Sequence, residues 1–444
     1  MSDVSDRICA VAEPLGGSPD DYDGLVDMVG EARFVLLGEA SHGTHEFYRE
    51  RGLITKRLIY QKGFNAVAVE ADWPDAYRIN RFVRGQGPQV DSVDALSGFK
   101  RFPQWMWRAA DVLDFVGWLR DHNDEQSYPE RKAGFYGLDL YSLRASIEAV
   151  LTYLDKVDPG AAKRAREHYS CFDHFGKEIE TYGYATGYGL TPSCENEVVS
   201  ELVALRGKEM DYLQRDGQVA ADDYFFAEQN AIVVRNAEAY YRNMFRREVS
   251  TWNLRDTHMM ETLVSLDDHL SREQNVPAKI VVWAHNSHLG DARATQMGER
   301  GELNLGQLVR ERFAREAVSI GFTTYTGTVT AASDWDQPAE RKNVRPAHRQ
   351  SYEALFHEVD TPRFFLNLRD NRRIAADLRE RRLERAIGVI YRPETEMQSH
   401  YFYARLSDQF DGVIYFDHTR AVEPLERTSE WELGEVEETF PSGL

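Results

Sequence analysis

Four short apolar runs, rich in β-branched and aromatic residues, each end abruptly in titratable side chains. Phe34-Val35-Leu36-Leu37 leads through Gly38 to Glu39 and His42. Asn65-Ala66-Val67-Ala68-Val69 ends at Glu70, with Asp72 behind it. Phe135-Tyr136-Gly137-Leu138 ends at Asp139, and Ile280-Val281-Val282-Trp283-Ala284 ends at His285, with His288 following. Short apolar runs of this kind read as buried strands. In open α/β sheets ligands bind beyond the carboxyl ends of the strands, so these side chains are expected along one edge. An acid directly after a strand can simply cap the next helix; four such endings together favour a site.

Between the strands the period changes. Thr44 to Lys62 reads as a helix stopped by Gly63, with Phe47, Arg51, Ile54 and Leu58 on one stripe. Arg51 is a cation in the face that should turn toward the sheet, so it either snorkels to water or is held by a carboxylate such as Glu39 or Glu70. Trp105 to Asn123 reads as one further amphipathic helix. From 141 to 275 long helical patterns replace the alternation, over Ser142–Leu154, Glu195–Leu213, Ala221–Arg246 and Trp252–Leu270. This stretch reads as a helical insertion over the sheet edge, and the polar helix carrying Asn230 is a candidate wall of a substrate cleft. Past the second histidine segment, 320–332 reads as a hairpin or an extended strand with a glycine bend. Further β-type runs lie at Phe364–Leu368, Ala386–Tyr391 and Gly412–Phe416, with a polar loop between the last two.

The expected fold is therefore α/β, with a mostly parallel central sheet flanked by helices and a large helical insertion. The core would be built from 1–140 and 276–444 and the insertion from 141–275.

Charge narrows the partners. The 53 Lys and Arg residues are outnumbered by 73 Asp and Glu, giving −20, which argues against nucleic acid or an anionic membrane surface. A small molecule is the partner expected, and oligomeric state is not legible. Three cysteines (Cys9, Cys171, Cys194) without a CxxC pair indicate neither a disulfide framework nor a thiolate zinc site. With no apolar export core at the N-terminus and no apolar run long enough to span a bilayer, a reduced cytoplasmic protein is expected.

The usual catalytic motifs are missing. There is no Gly-x-Ser-x-Gly elbow, no phosphate-binding P-loop and no dinucleotide fingerprint. His45-Glu46 begins like a zinc-protease helix, but Arg49 stands where the second histidine belongs. What remains is a His/Glu/Arg constellation suited to activating water directly.

Gly38-Glu39-Ala40-Ser41-His42-Gly43, followed by Glu46-Phe47 and Arg51, resembles the erythromycin esterase family. The likeness continues through Ala66 to Trp73, Gly137-Leu138-Asp139, Trp252-Asn253-Leu254-Arg255-Asp256 and Trp283 to His288. It implies an α/β core interrupted by a helical region, with a smaller α+β portion as a subdomain near 320–400, and hydrolysis of a carboxylic ester or lactone without metal or other cofactor. Macrolide lactones, and with them antibiotic resistance, are one substrate outcome. Carried over residue by residue, His42 is the general base and Glu39 its carboxylate neighbour. Arg51 is the functional arginine, Glu70 the second carboxylate and His285 the second essential histidine. His288, Asp139 and Asn230 are taken as substrate-binding candidates. Two rival readings stand beside this: a metal-dependent hydrolase using the His/Glu cluster, and a binding protein with His42 or His285 as a haem ligand.

Overall fold

Every residue of Phe34–Leu37, Ala66–Asp72, Gly134–Asp139 and Ile280–Trp283 is a buried strand residue, as the apolar runs require. This computed structural model describes residues 3–18, 20–175, 179–214, 217–246 and 250–434. In chain order its strands are β1 (Glu13–Pro14), β2 (Phe34–Leu37), β3 (Ala66–Asp72), β4 (Gly134–Asp139), β5 (Ile280–Trp283) and β6 (Ala317–Ala331). There follow β7 (Glu340–Val344), β8 (Arg363–Asn367), β9 (Arg382–Arg385), β10 (Tyr401–Ala404) and β11 (Gly412–Thr419). The chain forms two units.

The first unit comprises Met1–Val67, Phe82–Ala133 and Lys279–Leu444. Its strands run in the order β1-β8-β11-β6-β2-β5, with β7 added to β6. The centre is parallel (β11 with β6, β6 with β2, β2 with β5) and the additions β8, β1 and β7 are antiparallel. The α/β expectation is met, with a large, mostly parallel central sheet flanked by helices. The helix His45–Lys62 starts after Thr44 and ends at Gly63 in the left-handed conformation, as the sequence signals. Phe47 from its apolar stripe packs on Phe322 of β6 and Phe416 of β11. Because β2 and β5 are parallel, the residues after both strands leave the same edge.

Three expectations are corrected here. Trp105–Asn123 is two helices, Gln104–Trp107 and Ala110–Asp124. Ala109 between them is extended (φ −135°, ψ 156°) and bridges to Pro424, while Arg108 pairs with Glu426. Those tertiary bonds outcompete continuation of the helix. Ala386–Tyr391 is not a regular strand; the strand lies earlier, at β9, and pairs antiparallel with β10. Ile387 and Ile390 instead make single bridges to Ser41 and Ala332, so the β-type residues fasten neighbouring loops. The polar loop expected before β11 contains a short helix, Glu396–Ser399, and β10 itself. The open reading of 320–332 resolves as one long strand, β6.

This unit also buries Glu384 of β9, which accepts a bond from Gln409. Burial, reinforced by the nearby Glu353 carboxylate, pushes the Glu384 carboxyl up to about 8. The folded protein thus keeps a proton that the unfolded chain releases above its ordinary value of 4.5. The linked stability is fully present below that value and is lost as pH rises toward 8. Glu384→Gln should raise the thermal midpoint at pH 8.5 by a few degrees, on the order of 2–4 °C, and leave it little changed at pH 5. A variant midpoint below wild type at both pH values would contradict the neutral, buried carboxyl.

The second unit comprises Ala68–Arg81 and Gly134–Ala278. Its strands are β4 and most of β3, which are neighbours. The rest is helical: Leu143–Val157, Pro159–Tyr169, Ile179–Gly187, Glu195–Arg206, Glu209–Leu213, Gly217–Asn243 and Thr251–Gln274. The helix expected over Glu195–Leu213 breaks at Gly207-Lys208, where Lys208 turns to pair with Asp158. Leu143, Val150, Leu154, Leu202, Leu205 and Val234 belong to the core that these helices share. The cysteine spacing indicated no disulfide framework, yet Cys171 and Cys194 are bonded, 23 residues apart. Tyr182 helps place them, since its hydroxyl accepts from the Cys194 N–H and donates to Glu238. Among the described residues no helix is long and apolar enough to cross a membrane.

Candidate active site

The turn after β2 is held from several sides, which is why glycine flanks it. A Cβ on Gly38 would meet the Asn286 side chain at 2.1 Å, and one on Gly43 would meet the Thr330 carbonyl oxygen at 1.8 Å. Neither approach leaves room for a side chain. Ile387 donates to the Ala40 carbonyl at 2.8 Å and accepts from the His42 N–H at 3.3 Å. Asn286, directly after His285, donates its backbone N–H to the Glu39 carbonyl at 2.8 Å. Its side chain bonds Phe322 twice, donating to the carbonyl and accepting from the N–H. Asn286 thereby sews the turns after β2 and β5 to β6. Sequence reasoning assigned it no role.

On this frame Glu39, His42, Arg51 and His285 come together. Glu39 is 1% exposed, and its two carboxylate oxygens are divided between two partners. Oε1 faces His42 Nδ1 at 2.9 Å and Oε2 accepts from the Arg51 guanidinium at 2.8 Å. Arg51 does not snorkel: it is fully buried, 4.4 Å from the Tyr48 ring centroid and 5.2 Å from that of Trp283. Of the two carboxylates offered for it, Glu39 is the one that holds it. The His42 and His285 rings lie 4.9 Å apart, tilted by 51°.

The two imidazoles have opposite tautomers. A carboxylate only accepts, so His42 carries its proton on Nδ1 and its lone pair on Nε2. His285 caps the short helix Asn286–Leu289, and its Nδ1 accepts the Ser287 N–H at 3.2 Å. Neutral His285 therefore carries its proton on Nε2. One ring presents a base and the other a donor. His288 sits buried on the same short helix, its N–H bonded to the His285 carbonyl at 2.9 Å.

Glu70 and Asp139 are brought together in the second unit, by a residue the sequence analysis did not assign. Arg255, on the helix Thr251–Gln274, donates to both Asp139 oxygens at 3.0 and 2.7 Å and to Glu70 at 2.7 Å. Its guanidinium lies 5.0 Å from the Tyr141 ring centroid. Burial alone would raise the Asp139 carboxyl, but the Arg255 charge and hydrogen bonds bring it below its ordinary value. Burial likewise opposes the Arg255 charge, and Asp139 foremost among its neighbours more than restores it. Asp139 also accepts the Leu140 N–H at 2.8 Å, but the next helix, Leu143–Val157, has Ser142 at its N-cap, so this acid does not cap it. On the same helix the fully buried His258 accepts from Asn236, and burial lowers it to about 4. Asn230, on the helix Gly217–Asn243, turns its amide back to the Phe226 carbonyl at 2.8 Å. Its buried side-chain oxygen has no hydrogen-bond partner among the described residues.

The α/β fold thus sets a carboxylate–histidine pair at one strand end and a second histidine at the next. The erythromycin esterase family model matches residues 59–419, and the chain belongs to that family. It is 24% identical over 437 residues to the Bacillus subtilis (strain 168) protein YbfO, provisionally named a hydrolase, covering 92% of this chain and 89% of the relative. It is 22% identical over 330 residues to an Escherichia coli erythromycin esterase type II, with 70% and 74% of the two chains covered. The solved structure of the erythromycin esterase EreC, a mutant in its open conformation, superposes with a TM-score of 0.64 at 17% identity, covering 92% of this chain and 96% of that one.

Proposed function

We propose that this erythromycin esterase-family hydrolase opens a carboxylic ester or lactone by attack of a water molecule that His42 activates. The observation that carries the reading is the pairing of tautomers across 4.9 Å, His42 as acceptor and His285 as donor. His42 Nε2 takes a proton from water as its oxygen bonds to the carbonyl carbon. Glu39 holds the imidazole in that tautomer and stabilises it once charged. His285 Nε2–H stabilises the oxyanion. When the tetrahedral intermediate collapses, the C–O bond to the leaving alcohol breaks, and the alkoxide takes the proton from His42.

Arg51 is a positioning residue in this scheme, since a fully buried guanidinium reaches the reaction only through Glu39. Within the second unit, Glu70 and Asp139 are proposed to act by fixing Arg255. His288 and Asn230 are proposed substrate contacts. The printed name of the Escherichia coli relative puts macrolide lactones among the first compounds to try.

The test is a hydrolysis panel of aryl esters, simple lactones and macrolides, with purified protein in ¹⁸O-labelled water. The expected result is a carboxylic acid carrying the label, one water heavier than the substrate for a lactone and released beside the free alcohol for an open ester, formed equally with chelator present. Turnover that disappears with chelator and returns with a metal would replace the histidine–water mechanism by a metal-dependent one. No turnover on any compound, together with stoichiometric haem uptake, would replace hydrolysis by binding.

A further inference from the structure

The helical unit carries a second gathering of chemistry-bearing side chains that the proposed hydrolysis does not use. Asp222 stands near the start of the helix Gly217–Asn243. His269 and Glu273 lie one turn apart near the end of the helix Thr251–Gln274, so they share a face. One donor atom from each of the three lies within 4.8 Å of the other two. His269 Nε2 is 3.1 Å from Asp222 Oδ1. Ligand atoms at bond lengths of 2.0–2.1 Å around a tetrahedral metal are about 3.4 Å apart, so small side-chain adjustments would complete the set. The His269 ring lies flat on Phe225, with centroids 4.0 Å apart and planes 2° from parallel. That stacking fixes the direction in which Nε2 points.

A second observation at the same place points to a ligand. The three side chains line a cavity of about 480 Å³, and Tyr224 lines it too. Tyr224 is only 4% exposed, yet its hydroxyl has no hydrogen-bond partner among the described residues. A buried phenol left so is destabilising, which a bound water or anion in the cavity would offset. Arg272, on the same wall, adds a positive charge suited to an anion.

We propose that Asp222, His269 and Glu273 bind one divalent transition-metal ion, with an open coordination position toward the cavity. One imidazole nitrogen and two carboxylates favour zinc or manganese, whereas calcium and magnesium favour oxygen alone. Tyr224 would bond the water or small anion on the open position. The ion would displace the proton shared between His269 and Asp222, and would draw together two carboxylates that otherwise repel. It would also clip the start of one long helix to the end of the next.

The experiment is calorimetric titration of full-length, chelator-stripped protein with zinc chloride or manganese chloride alone. One saturable site is expected, with a thermal midpoint that rises as the ion is added. In Asp222→Asn and in His269→Gln, affinity should fall at least about tenfold, the loss known for removal of even an outer partner of a metal ligand. In His42→Ala the isotherm should be unchanged, which separates this site from the histidines after β2 and β5. Failure of both ions to saturate below about 1 mM would overturn the proposal, as would a wild-type isotherm in either variant. Should His269→Gln not fold, as judged by its ion-free thermal transition, Asp222→Asn decides.

Discussion

His42→Ala should fold and lose turnover by about 100- to 10,000-fold, the range that a positioned general base supplies. The structural cost of the substitution is small because the site does not rest on the ring. The His42 backbone stays bonded to Ile387, and Glu39 keeps its bond to Arg51. The thermal midpoint should therefore move by only a few degrees, while KM for a panel substrate stays near wild type. Wild-type turnover in the variant would remove His42 from the mechanism. Loss of the unfolding transition together with the activity would make its role structural.

His285→Ala separates the two imidazoles. A donor to the oxyanion contributes to the rate without taking the proton from water, so this variant should be slowed by about 100- to 1,000-fold. Wild-type turnover in it would mean that the different partners of the two rings, Glu39 and the Ser287 N–H, do not translate into different roles.

The strand ends were legible because a buried strand cannot hide a charge without a reason. Apolar runs stopping at Glu39, Glu70, Asp139 and His285 gave both the sheet and the site candidates. Arg51 was legible for the same reason: a cation in an apolar stripe needs a carboxylate, and Glu39 lay nearby in sequence. Arg255 was not, since its helix carries charges along its whole length. Its partner Asp139 is 116 residues away, so nothing local marks it as the one that bridges two carboxylates. Asn286 was hidden by its type, because an asparagine that imitates a backbone strand looks like a turn residue. The cysteine pair was hidden by spacing, as 23 residues match no motif and only the fold of the helical unit brings the two together. At Ala386–Tyr391 the β-type residues were read correctly as residues that pair, but tertiary partners took them one at a time.

The largest stability effect is expected at a residue that touches no substrate. Arg51→Met replaces a buried cation by an apolar side chain of similar length and leaves Glu39 charged, 1% exposed and short of its strongest partner. Breaking a buried ion pair from one side costs about 3–5 kcal/mol, much of it the desolvation of the charge left behind. Turnover should fall as well, because Glu39 no longer holds His42 in one orientation. Adding Glu39→Gln to Arg51→Met removes the stranded charge, so the double variant should recover most of the lost stability, a coupling that a double-mutant cycle measures directly. It should not recover turnover, since a glutamine beside His42 cannot stabilise the imidazolium. Equal stability losses in the single and double variants would show that Arg51 contributes through its packing between Tyr48 and Trp283. Recovery of activity along with stability would mean that Glu39 is needed only to neutralise Arg51, and the orientation of His42 would have to come from elsewhere.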